Sequence, residues 1–224
     1  MTAPRAANNY RSGAGKAYLE QRTGATSDHV QQLRASLFAG LSGPEDTVLD
    51  FGCGTGGVLS RVAAGRRVGV EIGSEAAASA REKGIDVFVD LSEVPTDSVD
   101  LAISFHAIEH VETPAAILRE LARVVKPGKR LRLIVPGENP RDPRQSAWKE
   151  NADMHLFTWT PLIFGNLASV AGYRDIETRV APMPTGSRLV RILGHVPPLA
   201  RRMHARVADR LNAWNVILDT RAPA

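Results

Sequence analysis

Cysteine and long apolar runs are what this sequence of 224 residues has least of. Cys53 is the single cysteine, so an internal disulfide is excluded and a reducing compartment is expected. No apolar run approaches the ~20 residues of a membrane-spanning helix. Residues 1–10 contain no apolar signal-peptide core, and internal repeats are absent. We therefore expect a soluble, cytoplasmic protein that folds around an apolar core without disulfides or metal.

The positive charge of the chain is unevenly placed. Lys and Arg outnumber Asp and Glu by 28 to 24, but residues 182–210 alone carry six arginines and one acid. A nucleic-acid-binding protein is expected to show a basic domain with a recognisable motif, so nucleic acid is not an expected partner. A local basic segment suits an anionic acceptor, a membrane surface touched peripherally, or a partner protein. The oligomeric state stays open.

Apolar periodicity predicts one α/β domain. Residues 1–25 are polar and are predicted to form a flexible arm, and residues 26–224 form the domain. Strands are predicted at 47–51, 67–71, 86–90, 99–104, 131–135, 176–180 and 215–218, and helices at 28–41, 58–65, 74–84, 114–125 and 161–171. A basic helical insertion is predicted at about 182–212, before the last strand. Alternating strands and helices indicate a mainly parallel sheet covered on both faces.

A glycine loop follows the first predicted strand. Gly52, Gly54 and Gly57 satisfy the pattern G-x-G-x-x-G between a strand and a helix, and Glu71 ends the second strand, where an acid can bind ribose hydroxyls. Asp50 stands two residues before the first glycine. A dinucleotide's pyrophosphate would be repelled by this carboxylate, at a cost of roughly 4 kcal/mol for a charge pair at 4 Å. S-adenosylmethionine has no phosphate and carries an ammonium and a sulfonium that Asp50 attracts, so the residues favour it over NAD.

Several stretches together resemble the class I S-adenosylmethionine-dependent methyltransferases, in their small-molecule (type 11, ubiquinone-biosynthesis-like) branch. The similarity spans about residues 45–180 and is carried by 48–56, Glu71, 105–111, 124–128, 155–161 and 171–173. The resemblance implies a Rossmann-like fold with a seven-stranded, mostly parallel sheet, helices on both faces and an antiparallel last strand. It also implies a methyltransferase that converts S-adenosylmethionine to S-adenosylhomocysteine.

By the same resemblance, a set of residues around the ends of the first four strands is expected to bind the cofactor. These residues are Asp50, Phe51, Gly52, Cys53, Gly54, Gly56, Glu71, Ile72, Asp90, Leu91, Phe105 and His106. Two alternatives stay open: an NAD-dependent oxidoreductase, which lacks a convincing catalytic Tyr/Lys pair here, and a methyltransferase-like module that binds the donor without turnover.

Histidines cluster after the fourth strand. His106-Ala107-Ile108-Glu109-His110 also fits the H-x-x-E-H pattern of zinc peptidases, and His155 could add a third imidazole. That mechanism needs two histidines on one helix face, whereas this segment follows a buried strand, so no metal is assigned. A hydroxyl acceptor must lose its proton during methyl transfer, and a histidine near neutral pKa can take it. His110 and His155 are therefore the predicted catalytic bases, each with packing at a helix start as the alternative.

The acceptor is expected to be a small molecule or a glycan, anionic or lipid-linked, and methylated on a hydroxyl oxygen. Candidate aromatic contacts are Tyr10, Tyr18, Trp148, Phe157 and Trp159, although packing is the commoner role of such residues. Arg141 and Arg144 could hold a phosphate or carboxylate, with a solvated loop as the alternative.

Overall fold

The computed structural model describes residues 28–137, 155–183 and 213–223. These residues form a seven-stranded sheet with the order β3-β2-β1-β4-β5-β7-β6. The strands are β1 (Thr47–Phe51), β2 (Arg66–Val70), β3 (Asp86–Phe88), β4 (Val99–Phe105), β5 (Val125–Gly137), β6 (Glu177–Pro182) and β7 (Trp214–Arg221). The helices are α1 (Asp28–Ala35), α2 (Ser74–Arg81), α3 (Pro114–Val124) and α4 (Pro161–Val170). Short 3₁₀ turns lie at Ser36–Phe38, Leu59–Arg61, Leu91–Glu93 and Ile108–His110.

The sheet is parallel from β3 through β5 and antiparallel around β7. β1 pairs in parallel with β2 and with β4, whereas β7 runs antiparallel to both β5 and β6. The predicted Rossmann-like class I fold, with its antiparallel last strand, is therefore confirmed. The carboxyl ends of the parallel strands lie along one edge of the sheet. The strand order reverses between β1 and β4, because the chain runs from β1 to β2 and β3 on one side and from β4 to β5 on the other.

Alternating side chains on each strand divide the core into two layers. Leu49 packs in the layer that contains α3 and α4, while its neighbour Val48 packs in the layer on the other face. Two helices begin as the sequence predicts, with proline in the first turn of α3 and of α4. The Thr160 hydroxyl also caps α4 by accepting a hydrogen bond from the Ile163 N–H at 3.2 Å.

Several predicted segments differ from the structure. The helix predicted at 28–41 ends at Ala35 and is followed only by the 3₁₀ turn Ser36–Phe38. The helix predicted at 58–65 is only the 3₁₀ turn Leu59–Arg61, because Val62 is already extended. Residues 126–130, between the helix predicted at 114–125 and the strand predicted at 131–135, belong to β5, which starts at Val125 directly after α3. β7 is eight residues long rather than four, because it pairs along its length with β5. Of the predicted insertion, residues 184–212 lie outside the described part of the chain, as does the arm 1–25.

Candidate functional site

The glycine loop needs its glycines for geometry. Gly52, Gly54 and Gly56 have φ values of 75°, 53° and 75°, a region that side chains disfavour. A Cβ on Gly52 would lie 2.4 Å from the Cβ of Ala107, whereas one on Gly54 would meet nothing within 4 Å. The loop therefore packs tightly at its first glycine and faces open space at its second, which leaves room for a ligand beside the backbone.

Glu71 joins the end of β2 to this loop. Its Oε2 accepts a hydrogen bond from the Gly54 N–H at 2.9 Å, and its Oε1 accepts one from the Gly73 N–H at 2.7 Å. Burial raises the pKa of the Glu71 carboxyl, and the backbone hydrogen bonds counteract part of that rise. A carboxylate has about four acceptor positions, so two amide bonds leave lone pairs for further donors such as ribose hydroxyls.

Asp50 lies beneath the loop and is 3% exposed. Burial, and then the charge of Glu71, raise the pKa of Asp50 well above its ordinary value of 3.8. The same two carboxylates add to the effect of burial in raising the pKa of the Cys53 thiol. A buried acid whose ionised form is disfavoured by a neighbouring carboxylate makes an environment that a positive charge would stabilise.

Other predicted cofactor residues lie at or after the carboxyl ends of β1, β2 and β3. Asp90 follows β3 and caps the turn Leu91–Glu93, since its Oδ1 accepts hydrogen bonds from the Ser92 N–H at 2.8 Å and the Ser92 hydroxyl at 2.7 Å. The side chains of Phe51 and Leu91 are buried in the core, and Ile72 is half-buried between Glu71 and Gly73.

The His106 side chain contacts residues of β4 and β7. It has a φ of 54°, its ring stacks on Phe105 with centroids 4.1 Å apart, and its Nε2 lies 2.8 Å from Oδ1 of Asn215. Asn215 is fully buried on β7, beyond β5 as seen from β4. The Arg34 guanidinium lies over the Phe105 ring at 5.0 Å. Sequence reasoning overlooked both Asn215 and Arg34, because pairing across non-adjacent segments leaves no local pattern.

Glu109, His110 and His155 come together on the other side of this segment. The Glu109 Oε1 lies 3.7 Å from Nε2 of His110 and 4.0 Å from Nε2 of His155, and the two rings meet edge to face with centroids 4.9 Å apart. The Leu156 N–H donates to the Glu109 carbonyl at 2.9 Å, which holds the His155 segment in place. The structure thus brings both predicted histidines to one buried carboxylate.

The zinc-peptidase pattern does not form as such a site. Only Ile108–His110 is helical, and His106 precedes it in a left-handed conformation with its ring bonded to Asn215. His106 and His110 therefore do not share a helix face.

The aromatic residues predicted to contact the acceptor differ in their exposure to solvent. Trp159 is 3% exposed and packs between Phe157 and Phe164, with ring centroids 5.7 and 5.0 Å away, so it belongs to the core rather than to a binding surface. Phe157 is exposed, as are Leu156, Leu162 and Ile163. The other predicted acceptor residues lie outside the described part of the chain: Tyr10, Tyr18, Arg141, Arg144 and Trp148.

Within the described ranges, no helix has the length and apolar composition needed to cross a bilayer.

Comparison with known proteins points to one family. Residues 49–133 match the family described as "Methyltransferase domain". A ubiquinone biosynthesis O-methyltransferase of Hahella chejuensis is 36% identical over 111 residues, which cover 44% of this chain and 46% of that protein. The chain thus matches about half the length of such curated relatives.

Solved structures share the fold at low identity. The Haloferax volcanii complex of the Trm112 methyltransferase activator with a putative methyltransferase contains a chain that superposes with a TM-score of 0.72 at 19% identity, covering 96% of this chain and 98% of that one. A Haemonchus contortus phosphoethanolamine N-methyltransferase 2, bound to phosphomonomethylethanolamine and S-adenosylhomocysteine, superposes with a TM-score of 0.67 at 15% identity, covering 96% and 59%.

Proposed function

We propose that this chain, which carries a class I S-adenosylmethionine-dependent methyltransferase domain, moves a methyl group from S-adenosylmethionine to a hydroxyl oxygen of a small molecule. The single observation that carries the choice of donor is the pair of acids beside the glycine loop, buried Asp50 and half-buried Glu71. The charge of Glu71 adds to the cost of ionising buried Asp50, and a cationic ligand relieves that cost.

The residues present fit this donor. Glu71 keeps acceptor capacity for ribose hydroxyls while its two amide bonds hold the loop in shape. Gly54 faces open space, so its backbone can approach a ligand closely. We assign Asp50, Phe51, Gly52, Cys53, Gly54 and Gly56 to the loop side of the donor site, Glu71 and Ile72 to the ribose side, and Asp90 and Leu91 to the adenine side. Phe105 and His106 border the site from β4.

S-adenosylmethionine supplies a methyl group on a sulfonium, which an acceptor oxygen displaces in line with the leaving sulfur. The protein's part is to align the acceptor with that methyl group and to receive the acceptor's proton. We propose that His110 or His155 takes the proton of the acceptor hydroxyl. Both imidazoles lie beside the carboxylate of Glu109, which would stabilise the imidazolium once it forms.

The exposed apolar side chains in the segment that follows His155 favour one class of acceptor. Leu156 is 46% exposed, Leu162 71% and Ile163 50%. They would cover the apolar part of an aromatic or lipid-linked acceptor better than a bare sugar. The curated relatives are named as O-methyltransferases of ubiquinone biosynthesis, which agrees with an oxygen acceptor on such a molecule.

Calorimetry and a transfer assay test the proposal. S-adenosylmethionine and S-adenosylhomocysteine should bind, whereas NAD and NADP should not; binding of NAD alone would reject the donor. Methyl transfer from radiolabelled donor to a panel of phenols and lipid-linked alcohols should then label the acceptor oxygen. Donor binding with no transfer to any member of the panel would favour the silent binding module.

A further inference from the structure

The cluster formed by Glu109, His110 and His155 has the composition of a metal site. One ligand atom from each of the three side chains can be chosen so that all lie within 4.8 Å of one another. Glu109 is fully buried, His110 is 8% exposed and His155 is partly exposed. One face of the cluster is therefore closed by the protein, while the His155 side reaches towards solvent.

The separations between these atoms differ from those of direct hydrogen bonds. The Glu109 Oε1 is 3.7 Å from the His110 Nε2 and 4.0 Å from the His155 Nε2, beyond the usual range of about 2.7–3.2 Å. Ligands held at about 2.0–2.2 Å from one ion lie roughly 3–3.5 Å from each other. Small side-chain rotations would therefore bring all three atoms onto a common ion.

The chemistry of the three ligand atoms determines which metal ions the site would bind. Two imidazoles and one carboxylate suit Zn²⁺, Mn²⁺, Fe²⁺ and related divalent transition metals, whereas Ca²⁺ and Mg²⁺ prefer sites made of oxygen ligands. Three protein ligands also leave at least one coordination position for another molecule.

The backbone holds the three ligands in register. Glu109 and His110 are neighbours in one 3₁₀ turn, and the hydrogen bond from the Leu156 N–H to the Glu109 carbonyl, at 2.9 Å, places His155 beside them. The site thus combines two parts of the chain that are separated by 45 positions in sequence but are tied together by main-chain contact.

We propose that Glu109, His110 and His155 bind a divalent transition-metal ion whose open coordination position takes the acceptor oxygen. The second half of this statement rests on the proposed function, whereas ion binding does not. With the ion bound, the imidazoles would act as ligands and the ion would lower the pKa of the acceptor hydroxyl, whose proton leaves to water. As the oxygen bonds to the methyl carbon, the bond from that carbon to the donor sulfur breaks and S-adenosylhomocysteine leaves. In the ion-free protein the same imidazoles are the bases assigned above.

Cobalt titration of the full chain tests the ion site directly. After treatment with chelator and its removal, Co²⁺ should bind in equimolar amount and give the intense visible absorption of a low-coordinate site. E109Q, H110A and H155A should each weaken Co²⁺ binding by more than about tenfold. E112Q and H29A are controls, since exposed Glu112 and half-buried His29 both lie outside the cluster, and both should bind like the original protein.

The H155A variant distinguishes loss of ion binding from loss of folding. Replacing buried Glu109 could unfold the chain, but His155 is partly exposed, so H155A should retain the thermal transition of the original protein. Equal Co²⁺ affinity in H155A and the original protein, or absorption typical of hydrated cobalt only, would overturn the site.

Activity distinguishes this proposal from the proposed function. Transfer that rises at least severalfold with Co²⁺, Mn²⁺ or Zn²⁺ and falls with chelator supports the role of the ion. Equal transfer with and without the ion would overturn that role and leave the histidine base in place. Failure of the methyltransferase proposal would show instead as absent donor binding, which the cobalt titration does not measure.

Discussion

The Oε2 atom of Glu71 accepts a hydrogen bond from the backbone N–H of Gly54 at 2.9 Å, across 17 positions of sequence. This contact fixes the open end of the glycine loop to the carboxyl end of β2. One carboxylate therefore both shapes the loop and faces the space that a ligand would enter. Removing it should affect ligand binding more than folding.

Glu71→Ala is expected to weaken S-adenosylmethionine binding by roughly ten- to a hundredfold. A hydrogen bond to a charged group contributes about 1.5–3 kcal/mol, and each 1.4 kcal/mol corresponds to a factor of ten. Isothermal calorimetry measures the change. Glu75→Ala is the matched control, because Glu75 is exposed in the first turn of α2. Unchanged affinity in the Glu71 variant would contradict the ribose assignment.

Donor affinity should increase with pH across the acid range. In the free protein the pKa of Asp50 is raised, so a proton must leave Asp50 before its carboxylate can face a cationic ligand. Affinity should rise by up to about tenfold per pH unit below that raised pKa and level off above it. Asp50→Asn should bind weakly and lose the slope. A pH-independent affinity in the original protein would separate Asp50 from the donor's charge.

Without ligand, the folding stability of the protein should decrease as the pH rises, whereas donor affinity increases. A carboxyl group whose pKa is higher when folded than when unfolded contributes stability that is present below its unfolded value and is lost as pH rises through the folded value. Asp50→Asn removes that loss, so its melting temperature at neutral pH should exceed that of the original protein. The gain should shrink as the pH falls towards the ordinary value of 3.8. A lower melting temperature at neutral pH would show that burial of ionised Asp50 is not costly here.

The fold and the shape of the glycine loop were predictable from sequence because their signals are local. The glycine loop, its preceding Asp50 and the strand-ending Glu71 stand at short, characteristic spacings, and the alternation of strands and helices sets the sheet. The type of each main strand and helix follows from apolar periodicity over the same short windows.

The other half of the site depends on long-range contacts. The His106 ring contacts the side chain of Asn215, which lies 109 positions later in the sequence. Nothing in the strand-like sequence around Asn215 distinguishes it from a solvent-facing residue. Trp159 looks like an acceptor contact in sequence but fills the core, because α4 brings Phe164 against it. The extent of β7 was also underestimated, since a strand's length depends on its partners.

The side chains of Asn215 and Thr220, both buried on β7, should respond differently to removal of their polar atoms. Oδ1 of Asn215 is 2.8 Å from Nε2 of His106, whereas the Thr220 hydroxyl has no hydrogen-bond partner among the described residues. Asn215→Ala should therefore lower the free energy of unfolding by about 1–3 kcal/mol, since it removes the acceptor that buried Asn215 offers to the half-buried imidazole of His106. Thr220→Val, which keeps the shape, should be neutral or stabilising. Urea titration measures both, and equal destabilisation would mean that the His106 contact contributes nothing.

His110→Ala should reduce the rate of methyl transfer while donor affinity stays unchanged. The reason is position: His110 adjoins Glu109 and His155, and the donor is assigned to the ends of β1 and β2. Loss of a general base typically lowers kcat by about 10²–10⁴-fold. Single-turnover transfer and calorimetry separate the two quantities, with His29→Ala as a histidine control outside the cluster. A parallel fall in donor affinity would place His110 in the donor site, and full activity would remove it from the chemistry.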